Sequence, residues 1–135
     1  MTSLQQELVE IANRYRLELL VCFGSYMTEY YHDESDIDLA CLSEHPLELE
    51  DRMNLLRELS LAYRKSEIDL VDLQTADPVL RCEVAINGRL LFEREEGLFE
   101  RYGLYYVKRF YELRPIIEEE MEAITRRIRE VVEGD

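Results

Sequence analysis

Basic side chains are scarce in this chain: 16 lysines and arginines stand against 30 aspartates and glutamates in 135 residues, a net charge of −14. A protein that grips a long nucleic acid lines a groove with cations, because phosphate neutralisation dominates its affinity. The shortage argues against that class and for a protein or small-molecule partner, and a basic partner surface would be drawn to so acidic a chain. Cysteine is also rare. Cys22 and Cys41 fall inside apolar runs and Cys82 in a helical pattern, so the three read as small, reduced core residues. Their spacing suits neither zinc nor nucleophilic catalysis. Missing too are an apolar stretch near the ~20 residues of a membrane span, a basic-then-apolar N-terminal segment, an internal repeat and a low-complexity linker. A cytoplasmic protein is expected. With 47% hydrophobic residues, the chain can bury one compact core without metal or disulfide staples.

The residues that ask for chemistry rather than packing lie between 24 and 38. Leu17, Leu19, Leu20, Val21, Cys22 and Phe23 form a short apolar run of the kind found in strands buried on both faces. It ends at Gly24-Ser25, where glycine permits a sharp turn with close backbone approach and serine adds a hydroxyl. Backbone N–H groups at such a turn cradle an anion. A short helix or turn is expected over residues 26–31, followed by the polar run His32-Asp33-Glu34-Ser35. Asp36-Ile37-Asp38 then opens a second strand, on which alternate side chains share a face, so Asp36 and Asp38 project together. Paired carboxylates repel unless a cation lies between them, and hard oxygen ligands suit Mg²⁺ beside substrate phosphates. Residues 67–73 read as a third strand, with Ile68, Leu70 and Asp72 on one face and Asp69, Val71 and Leu73 on the other. Paired beside the Asp36 strand, Asp69 reaches the same ions and Asp72 points away.

Gly-Ser, a ten-residue gap, Asp-x-Asp and a later strand aspartate together resemble the nucleotidyltransferase superfamily that includes DNA polymerase β. The small size resembles its minimal nucleotidyltransferases (MNT), the antitoxin half of HEPN/MNT toxin–antitoxin modules. The resemblance covers residues 17–92. It implies that Gly24 and Ser25 hold the outer phosphates of a nucleotide, that Asp36 and Asp38 bind two metal ions, and that Asp69 completes the ion serving the attacking group. Those three aspartates are then the catalytic and metal-binding set, with two Mg²⁺ ions as cofactors and ATP as substrate. The implied reaction is AMP transfer to a tyrosine of a HEPN ribonuclease partner, neutralising it. Two other readings stand beside it: neutralisation by occlusion with little catalysis, and transfer to a small molecule. Many relatives carry a glycine four positions beyond the serine, often after a basic residue; this chain has Thr28-Glu29 in that region.

The remaining pattern is α/β. A first helix is expected from Thr2 or Ser3 to about Tyr15, with Leu4, Leu8, Ile11 and Tyr15 inward. A second is expected over residues 48–64 with a stripe of Leu49, Met53, Leu56, Leu59 and Tyr63. Asp77-Pro78 starts a third helix and Asn87-Gly88 stops it, and Arg89 to Glu93 returns as a strand. The two histidines, His32 and His45, read as solvated loop residues. The expectation is a mixed four- to five-stranded sheet packed with helices, as residues 1–94, followed by a helical extension, residues 95–135. That extension carries apolar residues at three- and four-residue steps from Phe99 to Val131, with a kink or two successive helices expected at Pro115. Residues 95–113 can dock on the sheet; the rest overshoots it and is free for a partner or a second copy.

Overall fold

A computed structural model describes residues 3–24 and 37–134. The expected starts at Thr2, Ser25, residues 26–31, Thr28-Glu29, His32 and Asp36 lie outside them. In chain order the elements are α1 (Ser3–Arg14), β1 (Leu17–Phe23), β2 (Ile37–Ser43), α2 (Leu49–Tyr63), β3 (Ile68–Asp72), α3 (Pro78–Asn87), β4 (Arg89–Glu93) and α4 (Leu98–Glu133). The sheet has four strands in the order β3-β2-β1-β4. β1 is antiparallel to both β2 and β4, while β2 and β3 are parallel. This is the mixed α/β sheet that the sequence pattern implies.

Both central strands are buried on both faces, which is why their sequences read as unbroken apolar runs rather than as alternations. Leu20, Cys22, Leu39 and Cys41 face Leu8, Ile11, Leu55 and Leu59 of α1 and α2. Leu19, Val21, Ala40 and Leu42 face Val84, Leu98 and Tyr106 of α3 and α4. The result is a sheet between two helical layers. All three cysteines are free and buried, as core residues should be. Asp77 caps α3 by accepting from the Leu80 N–H at 2.9 Å, with Pro78 in the first turn and Gly88 closing the end.

Two helices depart from expectation. The inward face of α2 centres on Leu55 and Leu59, with Leu56, Ala62 and Tyr63 at its margin, whereas Leu49 and Met53 are exposed. At about 100° per residue the centre of the expected stripe is turned by somewhat less than a quarter circle from the buried one, and Leu56, Leu59 and Tyr63 are common to both. Both stripes satisfy helical spacing, and the sheet selects between them. α4 runs unbroken through Pro115 instead of dividing there. Pro115 is exposed, so the Tyr111 carbonyl that loses its helical donor can turn to water.

α4 also starts at Leu98 rather than Glu95, for a reason supplied by β4. The Glu93 carboxylate reaches past the turn, where Oε2 accepts from the Gly97 N–H at 3.2 Å and Oε1 from the Phe99 N–H at 3.1 Å. Gly97 sits at φ 87°, the left-handed region. A strand residue thus caps a helix and favours its positive end. Glu93→Ala should cost about 1–2 kcal/mol in urea unfolding, whereas alanine at the solvated neighbour Glu96 should cost less than roughly 0.5 kcal/mol.

Candidate functional site

β1 delivers the chain to Gly24, whose φ of +78° lies in the left-handed region. The β1–β2 register sets Phe23 opposite Asp38, so the carboxylate of Asp38 stands against the turn. A Cβ on Gly24 would lie 2.3 Å from Asp38 Oδ2. Glycine is therefore required twice, by conformation and by contact. Where a close approach of backbone to a ligand was expected, the contact that the structure shows is with the Asp38 carboxylate.

The parallel pairing of β2 with β3 aligns Asp38 with Asp69 in register. In-register residues on neighbouring strands share a face, about 4.8 Å apart in the pairing direction. Both acids lie on the side of the sheet that carries Ala40, Leu42, Val71 and Leu73, toward α3 and α4. Asp38 is half-buried and Asp69 exposed. Asp72 belongs to the opposite face, opposite Cys41, where it is buried and its Oδ1 accepts from the Gln74 N–H at 2.9 Å. It closes the turn after β3, in agreement with its expected outward direction from the site. Among the described residues no group of three His, Cys, Asp or Glu side chains converges for a metal; Asp38 and Asp69 are two members of the expected set, and Asp36 and Ser25 lie outside those residues. Two in-register carboxylates, one half-buried and one open to solvent, are a donor set that fits a hard divalent cation.

Cys22 lies one residue before the Phe23–Asp38 pair, with its side chain on the opposite face, toward α1 and α2. Burial pushes its thiol up to about 12, the Asp38 carboxylate adds to the rise, and the Arg89 guanidinium opposes it. Arg89 pairs with Cys22 across β1 and β4 and is exposed. That pairing sets Arg89 on the α1 and α2 side of the sheet with Leu91, opposite to Asp38 and Asp69, so its reading as a residue that opens a strand stands. The polar cleft of about 420 Å³ lined by Arg14, Tyr15, Arg16 and His45 is at the other end of β1 and β2, remote from Gly24 and Asp38. His45 is exposed there, as a loop histidine should be.

Comparison with known proteins agrees with this geometry. Residues 6–97 match the family model described as polymerase beta, nucleotidyltransferase. Protein adenylyltransferase MntA of Shewanella oneidensis is 37% identical over 86 residues, which span 62% of this chain and 61% of that protein. A crystal structure of a toxin–antitoxin with AMP-PNP superposes with a TM-score of 0.70 at 28% identity, over 87% of this chain and 98% of that one. The tri-AMPylated Shewanella oneidensis HEPN toxin in complex with MNT antitoxin gives a TM-score of 0.66 at 26% identity, over 88% and 97% of the two chains.

Gly24→Ala should force the Asp38 carboxylate to turn aside. The expected result is a stability loss of about 1–3 kcal/mol and divalent-ion affinity, measured by titration calorimetry, weaker by roughly tenfold. Cys41, like Cys22, is pushed up to about 12 by burial, with Asp72 adding to the rise. A thiol raised in the folded state favours folding below its unfolded value of 9.0 and loses that contribution as pH climbs from 9 toward about 12. At pH ~8 the native protein should resist iodoacetamide at both positions, and mass spectrometry should find full alkylation only in denaturant.

Proposed function

Because the chain belongs to the polymerase β nucleotidyltransferase family, we propose that it is an antitoxin adenylyltransferase, moving AMP from ATP onto a tyrosine of a HEPN-family toxin and so silencing it. The observation that carries this reading is the in-register pair Asp38–Asp69 beside the left-handed Gly24. The names of its relatives supply the nucleotide and the acceptor class: one is called a protein adenylyltransferase, and another is bound to a tri-AMPylated HEPN toxin.

In this mechanism Gly24 and Ser25 hold the outer phosphates, Asp36 and Asp38 hold metal ions, and Asp69 shares the ion nearest the acceptor. Mg²⁺ bound there supplies charge neutralisation at the phosphates and acidifies the attacking hydroxyl. The tyrosine oxygen bonds to the α-phosphorus while the bond from that phosphorus to the bridging oxygen breaks. Pyrophosphate leaves with the electron pair. A tyrosine hydroxyl ordinarily titrates near ~10, so its proton needs an acceptor at neutral pH, a part that this reading gives to the exposed carboxylate of Asp69. Gly24 leaves room for the Asp38 carboxylate beside the turn, so in this reading a side chain at 24 would disturb phosphate and metal binding together. In this reading the acceptor is a separate protein, which the name of the relative bound to a tri-AMPylated HEPN toxin supports.

A second reading, neutralisation by occlusion, is favoured by the exposed apolar residues along the outer part of α4. The two separate cleanly. Co-expression of the HEPN partner with the wild-type chain should add nucleotide-sized mass to the partner, and Asp36→Asn with Asp38→Asn should abolish the addition. Asp69→Asn should slow transfer by ~10²–10⁴-fold. Survival of toxin neutralisation with unmodified partner in the double variant would establish occlusion and overturn the catalytic reading.

A further inference from the structure

α4 outruns the domain that supports it. Tyr106 is its last fully buried side chain, and residues 111–133 continue as a helix of roughly 34 Å, at ~1.5 Å per residue. On this arm the apolar residues Ile117, Met121, Ile124, Ile128 and Val131 repeat at steps of four, three, four and three. Such a stripe has a 3.5-residue period, the signature of a seam that another helix fills rather than of a helix lying on a sheet. Met121 is 58% exposed, Ile124 47%, Ile128 59% and Val131 82%. Pro115 lies about 200° around the helix from Ile117, so its ring faces away from the seam.

We propose that this arm pairs with the same arm of a second copy as an antiparallel two-helix coiled coil. Charge and geometry choose this occupant and this direction. Placing the two-fold axis between Glu122 and Ala123 sets Ile117 against the second copy's Ile128 and Met121 against its Ile124, twice each by symmetry. The same register brings Glu120 beside the second copy's Arg127 on both flanks of the seam, while neither residue makes an ion pair within its own chain among the described residues. A parallel pairing would instead set Glu120 near Thr125 and Arg127 near Val132, with no charge match. The register also fits the length of the arm. It ends with Glu133 of one copy beside Glu112 of the other, using the whole free arm and stopping short of the packed part of α4. The two sheet domains are then held at opposite ends of the paired helices, leaving Asp38 and Asp69 clear of the contact.

Light scattering after size exclusion, with the full chain at about 100 µM, should give twice the chain mass of 16.1 kDa. A mass of 16.1 kDa under those conditions would overturn the proposal and leave the stripe to the HEPN partner. Arg127→Glu should weaken dimerisation at least ~10-fold, and adding Glu120→Arg should restore it. Helical circular dichroism should be unchanged in both, which separates loss of pairing from loss of folding. Direction is tested by mixing Ile117→Cys and Ile128→Cys chains under oxidation: the two should cross-link to each other. Efficient self-linking of Ile117→Cys would mean parallel pairing and overturn the antiparallel assignment.

Discussion

The register of β2 against its two neighbours is the constraint on which the rest depends. On one side it sets Asp38 opposite Phe23 and so against Gly24; on the other it sets Asp38 beside Asp69. A slip of β2 by one residue would turn Asp38 into the apolar layer under α1 and α2, away from Asp69, and bring Leu39 out of it. That slip is opposed by burial on both faces, because β1 and β2 have no solvent side on which a misplaced polar group can rest. The precision of the polar site is therefore a by-product of apolar packing.

The cost of this arrangement is electrostatic. Two carboxylates in register raise the energy of the folded state until a cation separates them, and a chain of net charge −14 gives them little long-range relief. Neighbouring cations are few: Arg89 pairs across from Cys22 on the strand beyond β1. A cation placed between two such carboxylates would relieve that repulsion.

The legibility of these features in the sequence follows the range of the forces that set them. β1, β4 and α3 could be bounded closely because their signals are local: an apolar run ending at Gly24, a strand after Gly88, and Asp77-Pro78 as cap and first turn. The direction of Asp69 against Asp72 was also legible, since strand alternation needs only the neighbouring residues. The face of α2 was legible in part: Leu56, Leu59 and Tyr63 of the expected stripe meet the core, while Leu49 and Met53 are exposed because Leu55 offers an overlapping stripe and the docked sheet decides between them. The start of α4 escaped for the same reason: Glu93 caps it from another element, and no local pattern at residues 95–98 records that contact. The continuity of α4 through Pro115 depends on solvent reaching one carbonyl, a property of the surrounding surface rather than of proline.

The site and the outer arm of α4 meet in one small group of side chains. Arg81 of α3 donates from Nε to the Leu73 carbonyl at 2.7 Å, just past the end of β3, and its guanidinium lies 5.5 Å from the ring centre of Tyr106. Burial pushes the Tyr106 hydroxyl up to about 12, so the ring stays neutral and the contact persists across the physiological range. β3 carries Asp69 four residues before Leu73, and α4 carries its exposed seam beginning eleven residues beyond Tyr106. The cation over the tyrosine ring thus joins α4 to α3 where β3 leaves the sheet, so the last buried turn of α4 and the end of β3 are held by one side chain.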